Sequence, residues 1–142
     1  MDTFVADSIF IDASPAEVFR AMVEPSELAR WSEAESVEGP DDPAVGSRYV
    51  FHRDDGSVTS GEVVGLEPPY RLTIGDFYWE RGSQRRGPMT VTWLLEDHDG
   101  GVWLTVRQDD LDGERGWKDF ATSTRAEWVR ATVALKRHVE GI

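Results

Sequence analysis

The sequence predicts an α+β fold: a curved antiparallel β-sheet wrapped around one long C-terminal α-helix, with two short helices after the first strand. Three observations predict it. Met89 to Asp97 alternates strictly, with Met89, Val91, Trp93 and Leu95 on one face and Thr90, Thr92 and Glu96 on the other, the period of a half-buried strand. The turn signals Asp54-Asp55-Gly56-Ser57, Pro68-Pro69 and His98-Asp99-Gly100-Gly101 cut the middle of the chain into strands joined end to end, which makes neighbours antiparallel. Beyond Gly116, residues Trp117, Phe120, Ala121, Thr124, Trp128, Ala131, Thr132, Leu135 and Val139 fall within an arc of roughly 120° on a helix.

The elements follow in order. Phe4 to Asp12, with Val5, Ile9, Phe10 and Ile11, reads as a first strand. Ser14-Pro15-Ala16-Glu17 is a capping box with proline at the first helical position, and it opens a helix carrying Val18, Phe19, Met22 and Val23 on one side. Pro25 breaks that helix and starts a second one toward Trp31. The acidic stretch Ser32 to Val45 has room for a short strand. Gly46 to Arg53 is a strand with Tyr49 and Phe51 on one face, and Val58 to Glu67 is its partner, weakened at Gly61 and Gly65 toward a bulge. Arg71 to Trp79 is the next strand, and Glu80 to Gly87, with Arg81, Arg85 and Arg86, reads as a mobile basic loop. Val102 to Gln108 returns after the turn at His98, with Val102, Leu104 and Val106 inward. Gly113 or Gly116 marks the start of the last helix. Lys118, Asp119, Arg130, Lys136, Arg137 and Glu140 occupy its opposite face, with Val129 and Val133 on the outside.

At 142 residues the chain is expected to be one domain, residues 1–142, large enough to bury a core without staples. With no cysteine, disulfides and thiolate metal sites are excluded. No basic leader and no run of about 18 apolar residues is visible, so no signal peptide and no membrane span are expected, and the cytoplasm is the default compartment. The net charge is −12, yet Glu114 to Glu140 holds six basic and four acidic residues, a local +2 that leaves −14 on the rest. So acidic a chain repels phosphate backbones, and no basic stripe with interleaved aromatics offsets this, so nucleic acid is not an expected partner.

The arrangement resembles the helix-grip fold of the START and birch-pollen-allergen, or SRPBCC, superfamily. Within it, the chain resembles the branch of the C-terminal domain of the activator of the heat-shock-protein-90 ATPase. The resemblance is carried by Ile9 to Phe19 with Trp31, by Gly61 to Leu72, by Val91 to Glu96 with Gly101 to Val106, and by the helix after Gly116-Trp117. It covers nearly the whole chain. It implies an apolar cavity between the sheet and the N-terminal half of the last helix, and the binding or transformation of a hydrophobic small molecule. The activator's separate chaperone-engaging domain has no counterpart in these residues.

Nothing in the sequence forms a catalytic motif. His52, His98 and His138 lack ligand partners at useful spacing, so no metal and no cofactor is expected. There is no Gly-x-Ser-x-Gly elbow and no phosphate loop. Asp7 shares parity with Val5, Ile9 and Ile11, and a regular strand points it inward, where a carboxyl could act as general acid or base; a frayed strand leaves it wet. Glu62, Asp76, Glu80, Arg107 and Asp109 are similar cases with less in their favour.

The aromatic set carries the binding expectation. Tyr49, Phe51, Phe77, Trp79, Met89, Val91, Trp93, Trp117, Phe120, Thr124 and Trp128 converge on the gap between sheet and helix, with Thr124 and Gln108 as polar groups. The same residues could instead fill a solid core. The expected partner is thus a hydrophobic, aromatic or lipid-like, small molecule, and the expected assembly a monomer or homodimer. A polyketide cyclase/dehydratase-like enzyme and a chaperone-accessory stress protein are the alternatives.

Overall fold

The first strand obeys its alternation. In the computed structural model, which describes residues 4–111 and 117–142 and only the backbone of Trp117, β1 (Val5–Ile11) buries Val5 and Ile11 and half-buries Asp7 and Ile9 on one face. Ser14 then caps α1 (Pro15–Val23). Its Oγ accepts from the Glu17 N–H at 3.2 Å, and its hydroxyl donates to the Glu17 carboxylate at 3.1 Å. The return arm of the capping box therefore runs to the Ser14 hydroxyl and not from its amide. Pro25 opens α2 (Pro25–Trp31), and the indole N–H of Trp31 donates to the Ala21 carbonyl at 2.9 Å, locking the two helices into a V.

Six strands follow: β2 (Ser36–Glu38), β3 (Arg48–His52), β4 (Val58–Glu67), β5 (Arg71–Arg81), β6 (Gln84–His98) and β7 (Gly101–Asp109). They form one antiparallel sheet with β1, in the order β1-β7-β6-β5-β4-β3-β2. The segment expected as a loop from Glu80 to Gly87 is a hairpin. Trp79 pairs with Arg86, Glu80 with Arg85 and Arg81 with Gln84, so β5 and β6 continue to the turn at Gly82. Charge spoke for a loop there, but ladder hydrogen bonds between two long strands outweigh it.

Irregularities in β4 and β5 bend the sheet. Register shifts on β4 fall at Gly61 and at Val64; at Gly61 a Cβ would collide with the Ile74 Cγ2, so only glycine permits the approach of β5. On β5 the register shifts again between Ile74 and Phe77, where Asp76 has a φ of 45°. The curved sheet receives α3 (Trp117–Glu140) on its inner face, and the start of that helix at Gly113 or Gly116 lies outside the described residues. Buried Leu135 and Thr132 seat the C-terminal half of α3. Lys136 Nζ donates to the Phe10 carbonyl at 2.8 Å, and Glu140 accepts from the Asp12 N–H at 2.7 Å and from Lys136 at 2.7 Å. His138 meets Glu27 of α2 at 3.2 Å.

Candidate functional site

The main core lies between α1, α2, the C-terminal half of α3 and the sheet around Ile11, Leu95, Val102 and Leu104. Toward the N-terminal half of α3 the packing opens into a cavity of about 160 Å³. Its walls come from every layer. Met22, Leu28 and Trp31 of the helical V close one side, Tyr49 and Phe51 of β3 and Thr59 and Gly61 of β4 another. Leu72, Ile74, Phe77 and Trp79 of β5, with Val91 and Trp93 of β6, make the sheet wall. Phe120, Thr124, Trp128, Ala131 and Ala134 of α3 form the roof.

Nine of the eleven residues singled out from the sequence line this space: Tyr49, Phe51, Phe77, Trp79, Val91, Trp93, Phe120, Thr124 and Trp128. Their rings meet edge to face, the arrangement favoured by the ring quadrupoles. Trp93 and Trp128 stand 5.3 Å apart at 86°, and Trp79 and Phe120 stand 5.6 Å apart at 62°. Met89 is instead buried with Val5 and Leu111 in a smaller cluster packed against Phe77, Trp79, Phe120 and Trp128. The side chain of Trp117 lies outside the described residues.

Two polar groups organise the interior. Gln108, buried on β7, accepts from the Trp128 indole N–H at 2.9 Å and directs its own amide at the Met89 sulfur, 3.1 Å away. Tyr49 donates its hydroxyl to the Val23 carbonyl at 2.7 Å, with the Pro40 carbonyl at 3.0 Å. Burial, aided by Asp41 and Asp42, pushes the Tyr49 phenol up to about 12.

Asp7 does point inward from β1 but is not part of the cavity. Its carboxylate accepts from the Thr132 hydroxyl at 2.6 Å, across the seam between β1 and α3. A polar end that the sequence reading missed does belong to the cavity: Ser32 and Glu33 after α2, Arg53 after β3, and Glu127 and Arg130 of α3. The sequence gives these five no common pattern, because three separate segments bring them together. Burial raises the Glu127 carboxyl above its ordinary value, with Arg53 and Arg130 opposing the shift. Glu127 is exposed as a residue, so the protein crowds its carboxyl without sealing it from water. His52 sits at the surface against Glu38 at 2.5 Å, and among the described residues no three ligating side chains gather as a metal site. No described helix is long and apolar enough to cross a membrane.

A curved antiparallel sheet gripping a C-terminal helix over an internal cavity defines the helix-grip, SRPBCC class, a ligand-binding fold. Within that class the chain belongs to the family of the Activator of Hsp90 ATPase homolog 1-like protein, whose model matches residues 12–140. No curated protein matches the chain. Among solved structures it is similar to a Rhizobium leguminosarum protein, 17% identical, with a TM-score of 0.81, covering 100% of this chain and 97% of that one. It is similar to the Aha1 dimer from Colwellia psychrerythraea at 19% identity and a TM-score of 0.75, covering 97% and 96%. It is also similar to DynU16, a protein of the dynemicin biosynthetic locus, at 24% identity and a TM-score of 0.75; the match covers 96% of this chain but 47% of DynU16. At these identities the likeness is one of fold.

Proposed function

We propose that the chain acts as one helix-grip domain that binds a hydrophobic, aromatic or lipid-like, small molecule in the cavity between the sheet and α3. The observation that carries this reading is the lining itself: Phe51, Phe77, Trp79, Trp93, Phe120 and Trp128 surround open space where a solid core would have closed it. Rings of this size bury large apolar areas when a ligand enters, and burial is worth about 25 cal/mol per Å² before the costs of association. Thr124 brings a polar group of the kind such sites use, while the Gln108 amide and the Tyr49 hydroxyl are held by protein partners and stiffen the walls. The dimeric Aha1 of Colwellia psychrerythraea makes a homodimer the assembly to test beside the monomer.

The test is titration with N-phenyl-1-naphthylamine, a neutral aromatic that fluoresces in apolar surroundings, against the natural chain and Ala131→Leu. Ala131 lines the roof, and the longer side chain fills the space. Saturable binding that drops at least roughly tenfold in Ala131→Leu is expected, since the lost volume removes contacts worth more than 1.4 kcal/mol. No saturable binding, or equal binding by the plugged variant, would sink the reading.

A second reading, a polyketide-cyclase-like enzyme on the same fold, has one observation in its favour. Glu127 brings a carboxyl to the cavity, which a proton transfer needs. Asp7, tied to Thr132, does not supply it.

A further inference from the structure

We infer that the ligand of this cavity is an acid: an apolar, ring-bearing molecule whose anionic substituent lies at the end formed by Ser32, Arg53 and Arg130. The inference rests on the cavity-binding reading above and says which chemistry that ligand carries.

Three observations place the acid there. Ser32, Arg53 and Arg130 all line the same cavity, and Arg53, Arg130 and Glu33, the neighbour of Ser32, all act electrostatically on the Glu127 carboxyl, which groups them at one end. Among the described residues neither Arg53 nor Arg130 has a carboxylate within ion-pair distance, a trait they share with Arg30, Arg81, Arg125 and Arg137, but these two alone of the six line the cavity. The Ser32 hydroxyl is buried and has no hydrogen-bond partner, and an orphaned buried hydroxyl costs about 1–3 kcal/mol. Two forked guanidiniums and a hydroxyl are the donor set that a carboxylate or sulfonate accepts from.

Other head groups fit worse. A cation would meet both guanidiniums. A pure hydrocarbon would cover them and the Ser32 hydroxyl and return no hydrogen bond. The polar group on the sheet side, Gln108, is already committed to Trp128 and Met89, so the acid has its partners at the Arg53 end. Glu33 and Glu127 share that end. Burial raises the Glu127 carboxyl above its ordinary value while Arg53 and Arg130 oppose the shift, so an acid bound at this end competes with Glu127 for the two guanidiniums. Glu33 is exposed and screened by water.

The test uses two probes that share one apolar body, N-phenyl-1-naphthylamine and its sulfonate, 8-anilinonaphthalene-1-sulfonate, titrated by fluorescence against the full chain. The sulfonate is expected to bind more tightly than the neutral probe. Arg53→Gln and Arg130→Gln are each expected to weaken the sulfonate roughly tenfold, the worth of one charge-assisted contact, and to leave the neutral probe within about twofold. A sulfonate that binds no better than the neutral probe, or that is indifferent to both substitutions, overturns the proposal. Where a glutamine variant loses the neutral probe too, its fold has failed and the natural chain decides. There the sulfonate's advantage must shrink as salt rises while the neutral affinity holds, and an advantage indifferent to salt overturns the proposal. Binding of neither probe brings down the cavity-binding reading and this one with it, whereas binding of the neutral probe alone brings down only this one.

Discussion

Trp128 and Gln108 are joined by the hydrogen bond that spans the cavity: the indole N–H of α3 donates to the side-chain carbonyl of β7 at 2.9 Å. This bond ties the helix to the sheet, with Trp93 packed edge-on against the indole. A polar strut in an apolar wall is costly to half-remove, because the remaining group stays buried without a partner.

Trp128→Phe keeps most of the ring and deletes the donor. It is expected to destabilise the fold by about 1–3 kcal/mol, as a shift of the urea midpoint with the slope unchanged. Gln108→Leu in the same background should recover part of the loss, because no orphaned carbonyl then remains. A Trp128→Phe variant as stable as the natural chain would show that the strut contributes nothing.

Tyr49 gives the fold an alkaline limit. Its phenol is raised from 10.0 to about 12 by burial, so the folded state favours the protonated form. That preference contributes fully below about pH 10 and is lost as pH climbs toward 12, on the order of 1–2 kcal/mol. Tyr49→Phe loses the hydrogen bonds to Val23 and Pro40 and starts less stable, by about 1 kcal/mol. Having no proton to lose, it should decline less steeply between pH 10 and 12. Parallel declines of the two proteins in urea melts across that interval would contradict the assignment.

Glu140 sets the opposite limit. Its carboxylate is held below the ordinary value, first by Lys136 and then by the Asp12 amide. A depressed value means a contribution present above the usual carboxylate range and lost as pH falls through the folded value. Glu140→Gln is expected to cost about 1–2 kcal/mol at neutral pH, and the gap to the natural chain should close on acidification. Thermal melts at neutral and acid pH read the difference directly; a gap that stays constant with pH would assign the cost to packing alone.

The sheet-and-helix plan was legible because each long element repeats one period without interruption. β6 alternates from Met89 through Leu95, and α3 keeps its apolar arc from Phe120 to Leu135, leaving Val129 and Val133 outside at 47% and 38% exposure. The aromatic wall was legible for the same reason. What escaped was whatever breaks periodicity or depends on tertiary placement. On β5, Ile74 and Phe77 both face the cavity although an unbroken strand would turn them to opposite faces. The kink at Asp76 resets the parity; Gly75 beside it was the one available signal, of the same kind as Gly61 and Gly65, and the sequence reading missed it. The charged end was hidden because Ser32, Arg53, Glu127 and Arg130 each look, within their own segment, like ordinary solvated residues. Met89 kept its strand parity but lies too far along β6 to reach the open space.

The two halves of α3 have different duties. Leu135, Lys136, His138 and Glu140 fasten its C-terminal half to β1 and α2, while Phe120, Thr124 and Trp128 face open volume. Exchanges at Phe120 or Thr124 leave those fastening contacts untouched, whereas Trp128 serves both ends, lining the hollow and tying the helix to β7 through Gln108. The outline of the hollow and the anchoring of the helix are thus written largely in different stretches of one element, with Trp128 as the residue the two share.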